Sequence, residues 1–294
     1  MPLDPEVAAL LERQRHSPPR SSLDVAATRE MMRRAAALSG PPPPLPRVED
    51  LVLPTGLRAR QYWPALDSAL PLTVYFHGGR FFSGDLESHD TICRLLALAS
   101  ASRLIAVDYR LAPEHPFPAA VEDARTALEW ALLYDVPVAI AGDSAGANLA
   151  TVAALAHRHS ARLRCQLLIY PMIDAVCASP SYTEFAEGYG PGAADMRRGW
   201  SEYLPAGADL RDPLASPLYA PDLTGAAPTL VMTAEYDTLR DEGESYARRL
   251  SAQLHRYPGA IHGFFPMQSP LALARQSLQD AAAFLREHLY AQDL

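Results

Sequence analysis

The sequence predicts an α/β domain: one mostly parallel, twisted sheet of about eight strands, flanked by helices. Three observations carry this. From Leu72 onward, short apolar runs alternate with longer helical stretches, the runs being Leu72 to Phe76, Leu104 to Tyr109, Val136 to Ala141, Cys165 to Tyr170 and Thr229 to Thr233. Strands of a parallel sheet, each followed by a covering helix, require that alternation. A last run, Leu254 to Tyr257, precedes an amphipathic stretch from Ala272 to Leu289 with its stripe at Leu278, Ala281, Phe284, Leu285 and Leu289. Finally, Val136 to Ala141 leads into Gly142-Asp-Ser-Ala-Gly146, which opens an Ala/Leu-rich helix.

Taken in order, residues 1–40 read as one or two amphipathic helices, with Leu23, Ala27, Met31, Arg34 and Leu38 at helical spacing. Gly40 and the stiff run Pro41 to Pro44 end them. Val48 to Leu53 and Leu57 to Trp63 alternate apolar with polar residues across Pro54-Thr-Gly56, which predicts an antiparallel pair at a sheet edge. Between Ser179 and Leu214 the periodicity breaks into glycine, proline and aromatic residues, so this segment is an expected insertion above the sheet. Residues 1–294 form one expected domain.

Composition narrows the function. Apolar residues make up 49% of the 294, enough for a sizeable core. A net charge of -8 and a pI near 5.6 oppose attraction to nucleic acid or anionic lipid. All 26 basic residues are arginine; without lysine, phosphate-loop ATPases, Schiff-base and pyridoxal-phosphate enzymes and serine/lysine dyads are excluded. The start Met1-Pro-Leu-Asp-Pro-Glu does not read as a signal peptide, and no run of about 18 apolar residues occurs, so a cytoplasmic location is expected. Cys93, Cys165 and Cys177 are odd in number and lack C-x-x-C spacing, predicting buried thiols and neither disulfides nor zinc. His157 and His159, two apart near a helix end, point in different directions, and no metal or cofactor is expected.

In open parallel sheets the loops at the carboxyl ends of the strands form the site. Those loops hold His77-Gly-Gly-Arg80, Ser144, Glu235-Tyr-Asp237 and His262-Gly-Phe264. Ser144 sits at the apex of a sharp turn, where it would stand exposed above the sheet, and the glycines two positions either side are needed because strand and helix crowd together there. A serine hydroxyl needs a neutral imidazole to take its proton, and His262 is the best placed candidate. An imidazole becoming cationic needs a carboxylate on its other nitrogen. Asp237 is chosen over Glu235, nearer the strand, and Asp241, expected in the first turn of the next helix. The chain order nucleophile, acid, histidine matches the α/β-hydrolase triad. The oxyanion would be met by backbone N–H groups of Gly78, Gly79, Arg80 and Ala145.

These segments, together with the run from Asp108-Tyr-Arg-Leu-Ala-Pro-Glu to Pro-Phe-Pro-Ala119, Tyr75-Phe-His-Gly-Gly79, Asp237-Thr-Leu-Arg-Asp-Glu-Gly243 and Ile261-His-Gly-Phe264, resemble the hormone-sensitive-lipase-like bacterial esterases of the α/β-hydrolase fold. The resemblance spans nearly the whole chain. It implies a carboxylesterase for short- to medium-chain acyl esters, working through an acyl-serine at Ser144 with His262 as base, Asp237 as acid, and Gly79, residue 80 and Ala145 as oxyanion donors. It also implies a helical cap from residues 1–45 and 179–214. A deacetylase or amidase would use the same triad, and a non-catalytic binding protein on this fold is the competing class. A small-molecule ester is the expected partner, with an exposed last strand able to pair two copies edge to edge.

Other residues carry two readings. Tyr189, Trp200 and Tyr203 would either line the substrate pocket or pack the cap. Arg110 and Glu114 are expected to form a structural ion pair. His77 is expected to organise the oxyanion turn, and Asp143 to bond neighbouring loops. Arg80 stands where the resembled family has a third glycine: it retains the N–H, but a positive φ would cost about 1 to 2 kcal/mol. Its side chain would either narrow or charge the acyl pocket, or point to solvent and pair with Asp85 or Glu87.

Overall fold

The structure, a computed structural model, describes residues 2–15 and 20–291. The expected helices over residues 1–40 are α1 (Pro5–Gln14) and α2 (Val25–Ala35); Met1 and residues 16–19 of that range lie outside the described residues. Asp4 and Asp24 cap them, accepting from the N–H groups of Glu6 and Ala27.

One eight-stranded sheet follows: β1 (Arg47–Val52), β2 (Arg58–Trp63), β3 (Leu72–Phe76), β4 (Arg103–Asp108), β5 (Val138–Asp143), β6 (Leu163–Ile169), β7 (Thr229–Tyr236) and β8 (Gln253–Ile261). Their spatial order is β1-β2-β4-β3-β5-β6-β7-β8. The β1–β2 and β2–β4 pairs are antiparallel, and the other five are parallel. The expected antiparallel pair is thus present, with β1 at the edge. β8 runs past the predicted Tyr257 because Pro258 and Gly259 sit at a register shift against β7 rather than at a strand end.

Helices α3 (Leu86–Ser100), α4 (Ala119–Ala131), α5 (Ala145–Ala156), α8 (Arg240–Leu250) and α9 (Ala272–Leu289) cover the sheet. Alternation along the strands separates two cores. Val74, Phe76 and Ile140 face α4, α5 and α8, while Tyr75, Ala139 and Ala141 face α3, α9 and α1. The central strands are apolar on both faces for that reason. Helix α5 is buried all round from Ala145 to Ala154, which explains its run of alanine and leucine. Among the described residues no helix is long and apolar enough to cross a membrane.

The crossover after β3 covers one face of the sheet and that after β5 covers the other, leaving a crevice at their carboxyl ends, where chain reversal places ligand sites in open sheets. Above it lie α1, α2 and the short helices α6 (Ser181–Glu184) and α7 (Ala193–Tyr203). Specific bonds hold the N-terminal arm down. Asp4 N–H donates to Gly259 O at 3.1 Å, and Ser39 Oγ donates to Pro266 O at 2.7 Å. The Arg29 guanidinium reaches Phe82 O, Ala112 O and both oxygens of Glu114.

Glu114 therefore pairs with Arg29, not with Arg110 as expected. Arg110 instead grips Asp123 and Glu122 at the start of α4. Both residues sit in the predicted loop, but each has a partner brought from another element, and that choice depends on how α2 and α4 dock.

Candidate active site

The turn between β5 and α5 holds Ser144 at φ 53° and ψ -117°. Two glycines allow this. A Cβ on Gly142 would stand 2.4 Å from the Gly146 carbonyl, and one on Gly146 would stand 2.0 Å from Phe76 O. These contacts involve backbone, which cannot yield cheaply. Gly146→Ala is therefore expected to lower the unfolding midpoint by several degrees and to abolish ester turnover; a variant melting within a degree of the parent would contradict this crowding. Behind the turn, Asn148 from α5 donates through Nδ2 to Met172 O at 2.8 Å and Ala215 O at 2.7 Å. Its signal in the sequence is an asparagine inside an otherwise alanine-rich buried helix.

Ser144, expected to stand exposed, is buried at 4% exposure. The sheet end alone would leave it open, but α1, α2 and residues 186–196 roof a cavity of about 1310 Å³ over it. His262 comes from the loop after β8. Its Nε2 lies 3.0 Å from Ser144 Oγ, and its Nδ1 lies 2.8 Å from Asp237 Oδ2. Asp237 Oδ1 accepts from Leu239 N–H at 2.8 Å, so the carboxylate is held from two sides. Tyr170 packs on the imidazole with ring centroids 4.7 Å apart. The alternative carboxylates serve elsewhere. Glu235 accepts from Gly259 N–H, and Asp241, in the first turn of α8, accepts from Ser181 N–H.

The glycine-rich turn after β3 requires one correction. Gly78 is not a free donor: its N–H gives to Asp143 Oδ1 at 2.8 Å. The same carboxylate accepts from Tyr75 OH at 2.7 Å and faces His89 at 3.5 Å. Burial pushes Asp143 upward, but His89, Tyr75 and the Gly78 amide outweigh it and hold the carboxylate below its usual range. Asp143 thus ties the nucleophile turn to the β3 turn, as expected. Among the described residues the N–H groups of Gly79 and Arg80 have no partner, and Ala145 N–H is one of the open amides at the α5 N-terminus. Gly79 (φ 133°), whose added Cβ would meet Ser83 O at 2.0 Å, keeps the turn tight.

His77 organises this turn. Its Nδ1–H gives to Gly78 O at 2.9 Å, its ring stacks on Tyr109 at 4.4 Å, and Tyr109 OH closes on His77 O. Burial, and then the nearby His89, lower its pKa to about 4. The folded protein therefore resists a proton that the unfolded chain accepts below pH 6.5, so the neutral ring's contribution is full above that pH and is lost as pH falls toward 4. About 3 kcal/mol of stability should disappear across that window. Denaturant titrations at pH 7, 5 and 4 should show a shallower loss in His77→Asn; equal slopes in the two proteins would refute this origin.

Arg80 has φ 57° and Phe81 φ 65°, so the strained backbone expected at residue 80 is present. Its side chain is neither in solvent nor paired with Asp85 or Glu87, which bind Arg33 and Arg60. The left-handed backbone turns it inward toward α7, where Gly199 leaves room: a Cβ there would come within 2.7 Å of Arg80 Cβ. The guanidinium lies over Phe82 and pairs with Asp195 at 3.3 Å.

The three aromatic residues pack rather than line the cavity. Tyr203 stacks on Phe81 at 4.0 Å, Trp200 leans on the same ring at 5.1 Å, and Tyr189 meets Phe185 and Tyr236. Apart from Tyr170, the apolar lining is aliphatic instead, including Leu3, Leu11, Leu23, Met31, Met196 and Met267. Leu23 and Met31 were visible as a helical stripe; their facing the cavity rather than the core depended on where α2 docks. Arg20 and Asp195, also in the lining, had no sequence signal, since isolated charged residues look like surface.

A family model described as the α/β hydrolase fold matches residues 73–266. The chain is 37% identical over 289 residues to the carboxylic ester hydrolase LipN of Mycobacterium tuberculosis, covering 90% of this chain and 77% of that one. It is 38% identical over 264 residues to an ethyl acetate hydrolase of Pseudomonas putida, covering 82% and 83%. A hyperthermophilic esterase of the archaeon Pyrobaculum calidifontis superposes with a TM-score of 0.91 at 38% identity, covering 99% and 100% of the two chains.

Proposed function

Because this chain belongs to the hormone-sensitive-lipase-like carboxylesterases of the α/β-hydrolase fold, and is a carboxylic ester hydrolase, we propose that Ser144, His262 and Asp237 carry its reaction on short- to medium-chain acyl esters. The supporting observation is the imidazole that bridges Ser144 Oγ at 3.0 Å and Asp237 at 2.8 Å. As Oγ attacks the ester carbonyl, Nε2 takes its proton, while Asp237 holds Nδ1–H and stabilises the cation that forms. The tetrahedral oxyanion is met by the amides of Gly79, Arg80 and Ala145; a donor of this kind is worth about 3 to 4 kcal/mol in other enzymes. Collapse breaks the bond to the alcohol, which leaves with the proton from Nε2. A water, deprotonated by the same nitrogen, then attacks the acyl-serine and releases the acid.

In this reading residues 1–45 and 179–214 form the cap. The cavity volume of about 1310 Å³ and its aliphatic lining support an acyl group of several carbons. Hydrolysis of 4-nitrophenyl esters from acetate to dodecanoate should peak at or below octanoate; a peak at the longest chain would overturn the acyl range, and a folded protein inert toward every ester would overturn the triad assignment.

We further propose a cytoplasmic location, to be checked by cell fractionation. The net charge of -8 argues against nucleic acid and anionic bilayers as partners. Pairing through the outer edge of β8 would give a sedimenting mass near twice 32.0 kDa, whereas a single-chain mass would exclude it.

A further inference from the structure

Within the cavity that holds Ser144 and His262, the charged side chains of the lining balance in sign but are unevenly placed. Arg80 and Arg20 both line it, with Asp195 between them. Asp195 is already committed: Oδ1 faces Arg80 at 3.3 Å, and Oδ2 accepts from Gly192 N–H at the start of α7 at 3.0 Å. Arg198, from the next turn of α7, also lies against Phe82, with its guanidinium 5.2 Å from that ring against 4.9 Å for Arg80, and pairs with Glu202. The Arg20 carbonyl accepts from Leu23 N–H, but its guanidinium makes no hydrogen bond or ion pair with any described residue. Of the other charged groups lining the cavity, Arg15 is paired with Glu12 and Arg34 with Glu30, Asp143 is bound to His89, and Glu187 is exposed. One guanidinium beside Asp195 is therefore left over. Burial lowers Arg20 despite the nearby Asp195, and burial followed by Arg20 and Arg198 brings Arg80 to about 10 despite the same carboxylate.

A partly buried guanidinium whose nearby carboxylate, Asp195, is already bonded to Arg80 and Gly192 N–H can be completed by an incoming anion. Arginine's planar fork suits a carboxylate in two parallel hydrogen bonds. We propose that this esterase selects esters that carry a second, free carboxylate, held by Arg20 with Arg80 beside the oxyanion turn. The proposal rests on Ser144 and His262 as the reacting pair, because it is their cavity that the arginines line. It also gives Arg80 a use: the family's glycine is replaced by a residue whose amide remains available while its side chain charges the pocket.

The test compares binding and turnover separately. Binding of mono-4-nitrophenyl adipate and 4-nitrophenyl hexanoate to the Ser144→Ala protein, measured by calorimetry, should favour the adipate at least about tenfold, with the gap narrowing as salt rises. A parallel pair, 4-acetoxybenzoate and 4-tolyl acetate, puts the carboxylate on the alcohol half and identifies which half faces the arginines. Arg20→Gln should reduce the adipate-to-hexanoate ratio about tenfold, Arg20→Lys should retain most of it, and Arg80→Gly should also reduce it. Equal binding in both pairs, or an unchanged ratio in Arg20→Gln, overturns the proposal. Turnover of hexanoate by the parent reports on the triad alone, so the two readings fail separately.

Discussion

Ser144→Ala should lower kcat for a nitrophenyl ester by about 10⁴- to 10⁶-fold while leaving the fold and melting behaviour close to those of the parent. The side chain is small, its hydroxyl is held by His262 Nε2, and the turn itself is shaped by Gly142 and Gly146, which the substitution leaves alone. Oxyanion donors and cavity would remain, so a residual rate above that of water is expected. Removing His262 as well should add little, since the nucleophile and its base act as one unit. Independent losses that multiply, or a loss below tenfold in Ser144→Ala, would mean that a different group attacks.

Asp237→Asn should cost about 10⁴-fold in kcat with KM little changed. An amide in place of the carboxylate can present its NH₂ to Nδ1, which forces the ring proton onto Nε2 and leaves no lone pair to accept from Ser144. The substitution preserves shape, and Leu239 N–H can still bond to the amide oxygen, so circular dichroism should be unchanged. A folded Asp237→Asn protein retaining more than a tenth of parental kcat would show that the carboxylate does not set the tautomer.

What the chain reveals before folding is unequal across the site. Local signals were readable: the strand, turn and helix around Ser144 lie in one continuous segment, and the two crowded glycines identify the turn by what they lack. The parallel sheet and closing helix were legible for the same reason, since burial on both faces leaves uninterrupted apolar runs. Partners were harder. Arg110 and Glu114 share a loop, yet each binds a residue from another helix, because ion pairing follows docking rather than proximity in the chain. Gly78 looked equivalent to Gly79, but Asp143 consumes its amide. Burial of Ser144 was invisible from its own segment, since the roof over it comes from residues more than a hundred positions earlier and some forty later. Arg80 combined both cases: its identity marked the position as unusual, whereas its direction depended on the room beside Gly199.

Ser144 Oγ is, on the central claim, the nucleophile that becomes acylated. Intact-protein and peptide mass spectrometry after treatment with a 4-nitrophenyl phosphonate measures this directly. The expected result is one adduct per chain, on the peptide containing Ser144, appearing together with loss of esterase activity and absent from His262→Ala over the same time. Inactivation with the adduct on another residue, or an active protein that never acquires one, would contradict it.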